Sequence, residues 1–334
     1  YEEVQRILDA GKGELADHLL PLWRAAQVQL KRRRKNGSLD FDTGETKFRF
    51  DATGLPLQIV KKTRLDAHRL IEECMLLANR TVASHIGARK RETDVKPFLY
   101  RVHDLPDPGR ILDLANFVRQ FGFALDARNG VTSNELQKLL KKAEGTEVEN
   151  LINEVTLRAM AKAVYSEKNI GHFGLAFTHY THFTSPIRRY PDLVVHRLLY
   201  AYSQGLDARV LSKLRERLPE IARQSSNRER VAVEAERMSV RVMQVEYMKR
   251  HVGDQFDGVI GGVTKFGLFV EINDLLVEGL IHIRDMADDY YLFDEKHYAL
   301  KGRSRGKVYR LGDEIRVEVM GVDPKERRIK FVIA

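Results

Sequence analysis

Apolar residues recur every three to four positions over residues 2–35, 65–86, 110–121, 134–142 and 148–164, and again from Pro191 to about Arg250, a spacing that predicts helices. Between the first two of these, residues 38–62 alternate in hairpin fashion. Asp51 to Gly54 supply turn residues between Lys47-Phe48-Arg49-Phe50 and Leu57 to Val60. Phe98 to Val102 reads as a short strand and His172 to Thr181 as an extended segment. On the 65–86 helix, Ile71, Cys74, Met75, Ala78 and Val82 form the expected buried stripe. Glu73 falls opposite, between Arg69 and Arg80, as an expected solvated ion-pair partner, and Glu72 lies on the flank of the stripe.

From Phe256 onward the pattern changes to short strands punctuated by glycine, which suits a small Greek-key barrel of the OB type. The expected class is α+β, a larger helical part followed by an all-β barrel, divided at 1–250 and 251–334. In GLFVEI, alternation sends Leu268, Val270 and Ile272 inward and Phe269 outward. Phe266 and His282 fall near the same outer surface. Three flat side chains there form a platform on which bases could stack, at about 1–3 kcal/mol each. Scattered exposed aromatics are the plain alternative.

Charge sharpens this division. The 334 residues carry a net charge of +9, and residues 1–250 hold 43 Lys and Arg against 32 Asp and Glu, whereas residues 251–334 hold 13 against 15. The basic excess favours a polyanionic partner and lies in the larger part. The run KRRRK at 31–35 reads as a solvated helix end, and KGRSRGK at 301–307 as a local basic loop on the barrel. One cysteine, Cys74, excludes an internal disulfide and suits a reducing cytoplasm. No apolar run reaches the roughly 20 residues of a membrane helix. Tyr1 opens directly into a helical pattern without a methionine, so a segment of a longer protein is expected.

The chemistry centres on THFTSPIRRYPDLVVHR, residues 181–197. Pro191 opens a helix, leaving Arg188 and Arg189 just outside its positive end, where an arginine fork and free backbone donors suit a phosphate. Equally, Asp192 could pair with one arginine and leave the other to solvent. His172, His179, His182 and His196 match no usual zinc spacing. Asp40 and Asp42 would share a strand face, as a magnesium pair or as ordinary strand-end acids.

IEECMLLAN, GHFGLAF, HFTSPIRRYPDLVVHR, GVIGGVTKFGLFVEI and YRLGDEIRVEV occur in order nearly from end to end, and together they closely resemble the ribonuclease II (RNB) family, within it the bacterial ribonuclease R group. The resemblance implies part of an RNB catalytic domain followed by an S1-type OB barrel. It also implies a processive hydrolytic exoribonuclease that threads single-stranded RNA, removes 5′-nucleotides from its 3′ end and uses magnesium. By the same resemblance Tyr1 lines the catalytic channel, Phe41 stacks on the terminal base, Glu72 contacts the RNA sugar, Arg188 holds the phosphate near the scissile bond, and Glu236 lies close by at a variable position. Arg189, Phe266, Phe269 and His282 are expected to bind RNA. The family's aspartate cluster for magnesium is absent from these residues, and its ligands are expected upstream, in an amino-terminal part that could remain a partner. Asp40 and Asp42 are not metal ligands in the family. The rivals are an inactive RNA-binding adaptor and a DNA-handling OB protein.

Overall fold

A computed structural model describes residues 1–40, 45–88, 96–128, 130–146, 148–294 and 298–334, without the side chains of Glu45 and Asn150. Contacts divide the chain into two compact units. One comprises Tyr1–Phe41, Arg64–Glu144 and Val155–Val231, the other Asp42–Thr63, Gly145–Glu154 and Ala232–Ala334.

In the first unit the single helix expected over 2–35 is two, α1 (Glu2–Ala10) and α2 (Ala16–Lys35). Gly11, at φ 64°, ends α1 with its N–H on the Ile7 carbonyl, and Gly13 and Leu15 also take positive φ. Residues at positive φ cannot continue a right-handed helix, although the apolar spacing runs through them. Both helices contact α3 (Asp66–Gly87). Its buried side is Ala67, Leu70, Glu73, Asn79, Ala83 and Ile86, while Ile71 is 41% exposed. The predicted stripe is thus rotated, and Glu73 is inside.

A two-stranded sheet of β3 (Tyr100–Val102) and β4 (Val164–Ser166) follows, with α4 (Pro108–Arg119), α5 (Ser133–Ala143) and α6 (Glu149–Ala159) between them in sequence. Thr132 and Glu135 start α5 with a reciprocal capping box, as S/T-x-x-E patterns do. The helix read to Val164 stops at Ala159, and β-branched Val164 opens β4 instead. Residues 172–181 are less extended than their composition suggests. Phe173–Leu175 form a 3-10 turn that returns Phe177 to bridge His172. The core of this unit gathers Phe98, Leu99 and Val102 with Val195 and Leu198 of α7 (Tyr190–Ser203) and Leu218 and Ala222 of α8 (Ala208–Met248).

The second unit contains the hairpin β1 (Glu45–Phe50) and β2 (Pro56–Lys62), whose turn is tied by Asp51 Oδ1 accepting from the N–H groups of Thr53 and Leu55 at 2.9 and 3.0 Å. Its barrel closes β5 (Gln255–Thr264), β6 (Gly267–Ile272), β7 (Val277–His282), β11 (Glu314–Asp323) and β12 (Arg328–Ile333) in the order β11-β12-β7-β6-β5. All pairs are antiparallel except β12 with β7, the order of an OB barrel. A three-stranded sheet, β8 (Tyr291–Asp294), β9 (Ala299–Gly302) and β10 (Val308–Arg310), is inserted between β7 and β11 in sequence. Leu268, Val270 and Ile272 are buried and Phe269 is half-buried, as the alternation predicted. Gly279 is required where it stands, because a Cβ would meet the Phe331 ring at 2.3 Å.

Candidate nucleic-acid interface

The turn before α7 divides its two arginines. The N–H groups of Arg188 and Arg189 both reach the Ser185 carbonyl, at 3.3 and 3.0 Å, closing a turn against the helix start. Asp192, fully buried in the first turn of α7, accepts at Oδ1 from the Ser185 N–H and from Arg189 Nη2, each at 2.8 Å. A carboxylate is favourable at that helix end. Arg189 is thereby anchored and Arg188 left exposed, flanked by Ile187, whose side chain is wholly exposed at 102%, and by exposed Tyr190. Asp192 thus pairs with one arginine of the motif and leaves the other to solvent.

The four nearby histidines are held by other bonds. His172 Nδ1 accepts from the Leu175 N–H (3.2 Å), His182 Nδ1 bonds the Tyr165 hydroxyl (2.8 Å), and His196 Nε2 bonds the Phe183 carbonyl (2.8 Å). His179 Nδ1 lies 3.3 Å from the Thr178 hydroxyl. Burial, helped by neighbouring positive charge, drives His172 down to about 3 and His182 to about 2. Both are neutral near pH 7. Unfolding releases them to the ordinary 6.5, so the unfolded chain binds more protons as acid is added. Stability is expected to fall as pH drops below about 6.5 and to go on falling toward about 3. Thermal melts across that range check this, and His182→Gln should flatten the slope.

Among the described residues no three His, Cys, Asp or Glu side chains converge to hold a metal. Asp40 lies outside any strand, where Arg34 (3.2 Å) and Arg64 (3.0 Å) bind it. Burial alone would raise its carboxyl, but the arginines outweigh it and hold the group below the ordinary carboxylate range. This donor set does not fit a magnesium ion. Asp42 and Phe41 fall outside the described residues.

On α3 the adjacent glutamates have opposite fates. Glu73 is 4% exposed and takes two bonds from Arg33, itself 5% exposed, at 2.7 and 3.0 Å. Arg33 also donates to Ser38 Oγ (2.7 Å). Glu73 is therefore not solvated, and the 31–35 run is not wholly a solvated helix end: its third residue is a buried charge with a partner. Glu72 is 38% exposed, and Arg64 donates to its Oε2. Tyr1, more than half exposed, stacks on His68 with ring centres 4.2 Å apart. Glu236 is exposed on α8.

In the second unit, Phe266, Phe269 and His282 line one cleft of about 310 Å³ together with Arg241, Leu280 and Arg328. The two phenylalanines meet edge to face at 5.9 Å. Arg241 reaches it from α8, donating to the carbonyls of Arg327 (3.0 Å) and Glu278 (2.8 Å). No sequence signal marks it, because its partners lie far along the chain. The 301–307 loop is held by Asp289, whose carboxylate accepts from the N–H groups of Ser304 and Arg305.

An exposed arginine at a helix start can hold a phosphate, and an aromatic cleft with arginines on its lining can stack bases. The RNB domain family matches residues 1–205, and the S1 RNA binding domain matches residues 249–333. Ribonuclease R of Thermotoga maritima is 43% identical over 92% of this chain and 43% of its own length. Ribonuclease R of Escherichia coli is 37% identical over 99% of this chain and 42% of its own. The structure of Mycoplasma genitalium RNase R in complex with ribose methylated single-stranded RNA superposes with a TM-score of 0.92 at 27% identity, over the whole of this chain and 53% of that one. The chain thus spans less than half the length of these two ribonuclease R sequences, and with an RNB domain over residues 1–205, more than half of its own length, it belongs to the RNB family.

Proposed function

We propose that this chain is part of a processive 3′-to-5′ exoribonuclease that hydrolyses single-stranded RNA to 5′-nucleotides in the cytoplasm. The observation that carries this reading is Arg188, displayed to solvent by a turn whose neighbouring arginine is already neutralised. In hydrolysis, water adds to the terminal phosphorus, the P–O3′ bond breaks and its electron pair leaves on the 3′ oxygen, which takes a proton. Arg188 donates to the non-bridging oxygens as charge gathers there. Arg189, paired with Asp192, holds the turn that carries Arg188, Glu72 receives a ribose hydroxyl, Phe41 and Tyr1 guide the RNA end, and Glu236 lies beside the path. Magnesium would activate the water and steady the leaving oxygen. Its ligands come from outside the described residues, in a polypeptide of the relatives' full length, in which residues 1–250 complete the RNB domain and 251–334 form the S1 barrel.

The barrel cleft holds incoming RNA by stacking on Phe266, Phe269 and His282. Phe269→Ala is expected to weaken binding of a single-stranded oligonucleotide by about 1–3 kcal/mol, with little dependence on base identity. Fluorescence anisotropy measures this. A loss confined to one base would instead mean hydrogen-bond readout.

The deciding experiment follows nucleotide release from a 3′-tailed single-stranded RNA with and without magnesium, for the 334 residues alone and for a polypeptide of the relatives' length. Magnesium-dependent release by the longer form supports the enzyme. Binding without cleavage by both forms would make it an adaptor.

A further inference from the structure

Arg64 lies between two carboxylates that the sequence separates. Its Nη1 donates to Asp40 Oδ1 at 3.0 Å and its Nη2 to Glu72 Oε2, while Arg34 donates to the other oxygen of Asp40 at 3.2 Å. The result is an alternating chain, Arg34–Asp40–Arg64–Glu72. A long glutamate on an exposed helix flank has several rotamers available, and one oxygen fixed by a guanidinium removes most of that freedom. Among the described residues the other oxygen, Glu72 Oε1, has no hydrogen-bond partner, and the side chain remains 38% exposed. The carboxylate is held, charged and open on one side.

Arg64 is itself restrained from behind. Asp40 ends the segment Ser38–Asp40, in which the Ser38 hydroxyl accepts from Arg33 (2.7 Å), the Ser38 carbonyl accepts from Gln137 (3.0 Å), and the Leu39 N–H donates to the Gly174 carbonyl (2.8 Å). A Cβ on the preceding residue, Gly37, would strike Asn134 at 2.6 Å, so that segment sits close against α5. The rigidity of the segment passes through Asp40 to Arg64 and so to Glu72.

We propose that Arg64 is a positioning residue for ribose recognition: it aims Glu72 Oε1 at an RNA 2′-hydroxyl and thereby sets the preference for ribose over deoxyribose. This rests on the reading above, in which Glu72 meets the sugar. A site built to accept a hydroxyl's hydrogen bond discriminates against a substrate that lacks it, and discriminates less when the acceptor wanders.

The test uses the full-length protein and oligonucleotides of one sequence, all-ribose or with a single 2′-deoxy position walked through the 3′ end. For the unaltered protein, kcat/KM should drop where the deoxy sugar reaches Glu72. Arg64→Gln should reduce that drop by about tenfold while changing cleavage of the deoxy substrate little. Glu72→Gln should reduce it similarly, and the double variant no further, because the two side chains act as one unit. Arg64→Lys, which keeps the charge but loses the two-armed fork, should recover the preference only in part. Equal losses on ribose and deoxyribose substrates, or additive effects in the double variant, would show Arg64 to be structural only and overturn the proposal. If the unaltered protein shows no drop at any position, or no cleavage at all, the assignment of Glu72 to the sugar or of the activity itself is at fault, a separate outcome.

Discussion

Arg188→Ala in the full-length protein is expected to lower kcat by about a hundredfold to a thousandfold while changing RNA affinity by less than about threefold, the pattern of a donor used in the transition state. The turn explains why the effect should be this lopsided. Asp192 neutralises Arg189 and fixes the Ser185 N–H, so the backbone that carries Arg188 is set by buried bonds and not by the substrate. An exposed guanidinium on a fixed base costs little to place, and it gains most where negative charge is growing, not where it is constant along the whole RNA. Binding is spread over many phosphates and stacked bases, so one arginine contributes a small share of it. Single-turnover cleavage beside equilibrium binding of the same oligonucleotide separates the two quantities. Equal losses in both would mean that Arg188 is one phosphate contact among many. Arg189→Ala is a useful contrast: it leaves the buried Asp192 without its charge partner, so its main effect should be on thermal stability.

Glu73→Ala is expected to destabilise the protein by about 3–5 kcal/mol, which for a chain of this size lowers Tm by roughly 4–7 °C. The substitution removes the acid that neutralises a buried guanidinium: Arg33 is 5% exposed and directs two donors at Glu73. Without it a guanidinium is buried uncompensated. Replacing both partners by apolar residues, Arg33→Met with Glu73→Leu, should recover much of the loss, because burying neither charge is cheaper than burying one alone. Differential scanning calorimetry of the unaltered protein and the two variants decides the matter. A neutral single variant would mean that water reaches Arg33 and the pair contributes little.

The two glutamates at 72 and 73 show how far the sequence could be read. Helical spacing alone identified the α3 helix, and the alternation of Leu268, Phe269 and Val270 identified both faces of β6, because each depends only on neighbours within a turn or a pleat. The barrel, its outward aromatics and the helix starting near Pro191 were legible for the same reason. Which side of α3 is buried was not. That depends on α1 and α2, which contact it, and on Arg33, forty residues earlier, whose charge makes Glu73 tolerable inside. The break at Gly11 to Leu15 was hidden because the apolar spacing continues across it.

By itself the sequence determined the helical and barrel parts, the surplus of positive charge in the first of them, and the family to which the chain belongs. Local periodicity and long ordered motifs carry that information. Only the tertiary structure decided which of the two arginines before α7 is anchored and which is exposed, which glutamate is buried and which is half-exposed, and that Arg241 lines the barrel cleft and Arg64 pairs with Glu72. Those outcomes rest on pairs far apart in the chain or on a choice between adjacent residues of the same type. Hydrogen-bond geometry and burial make that choice, and residue order does not encode it locally.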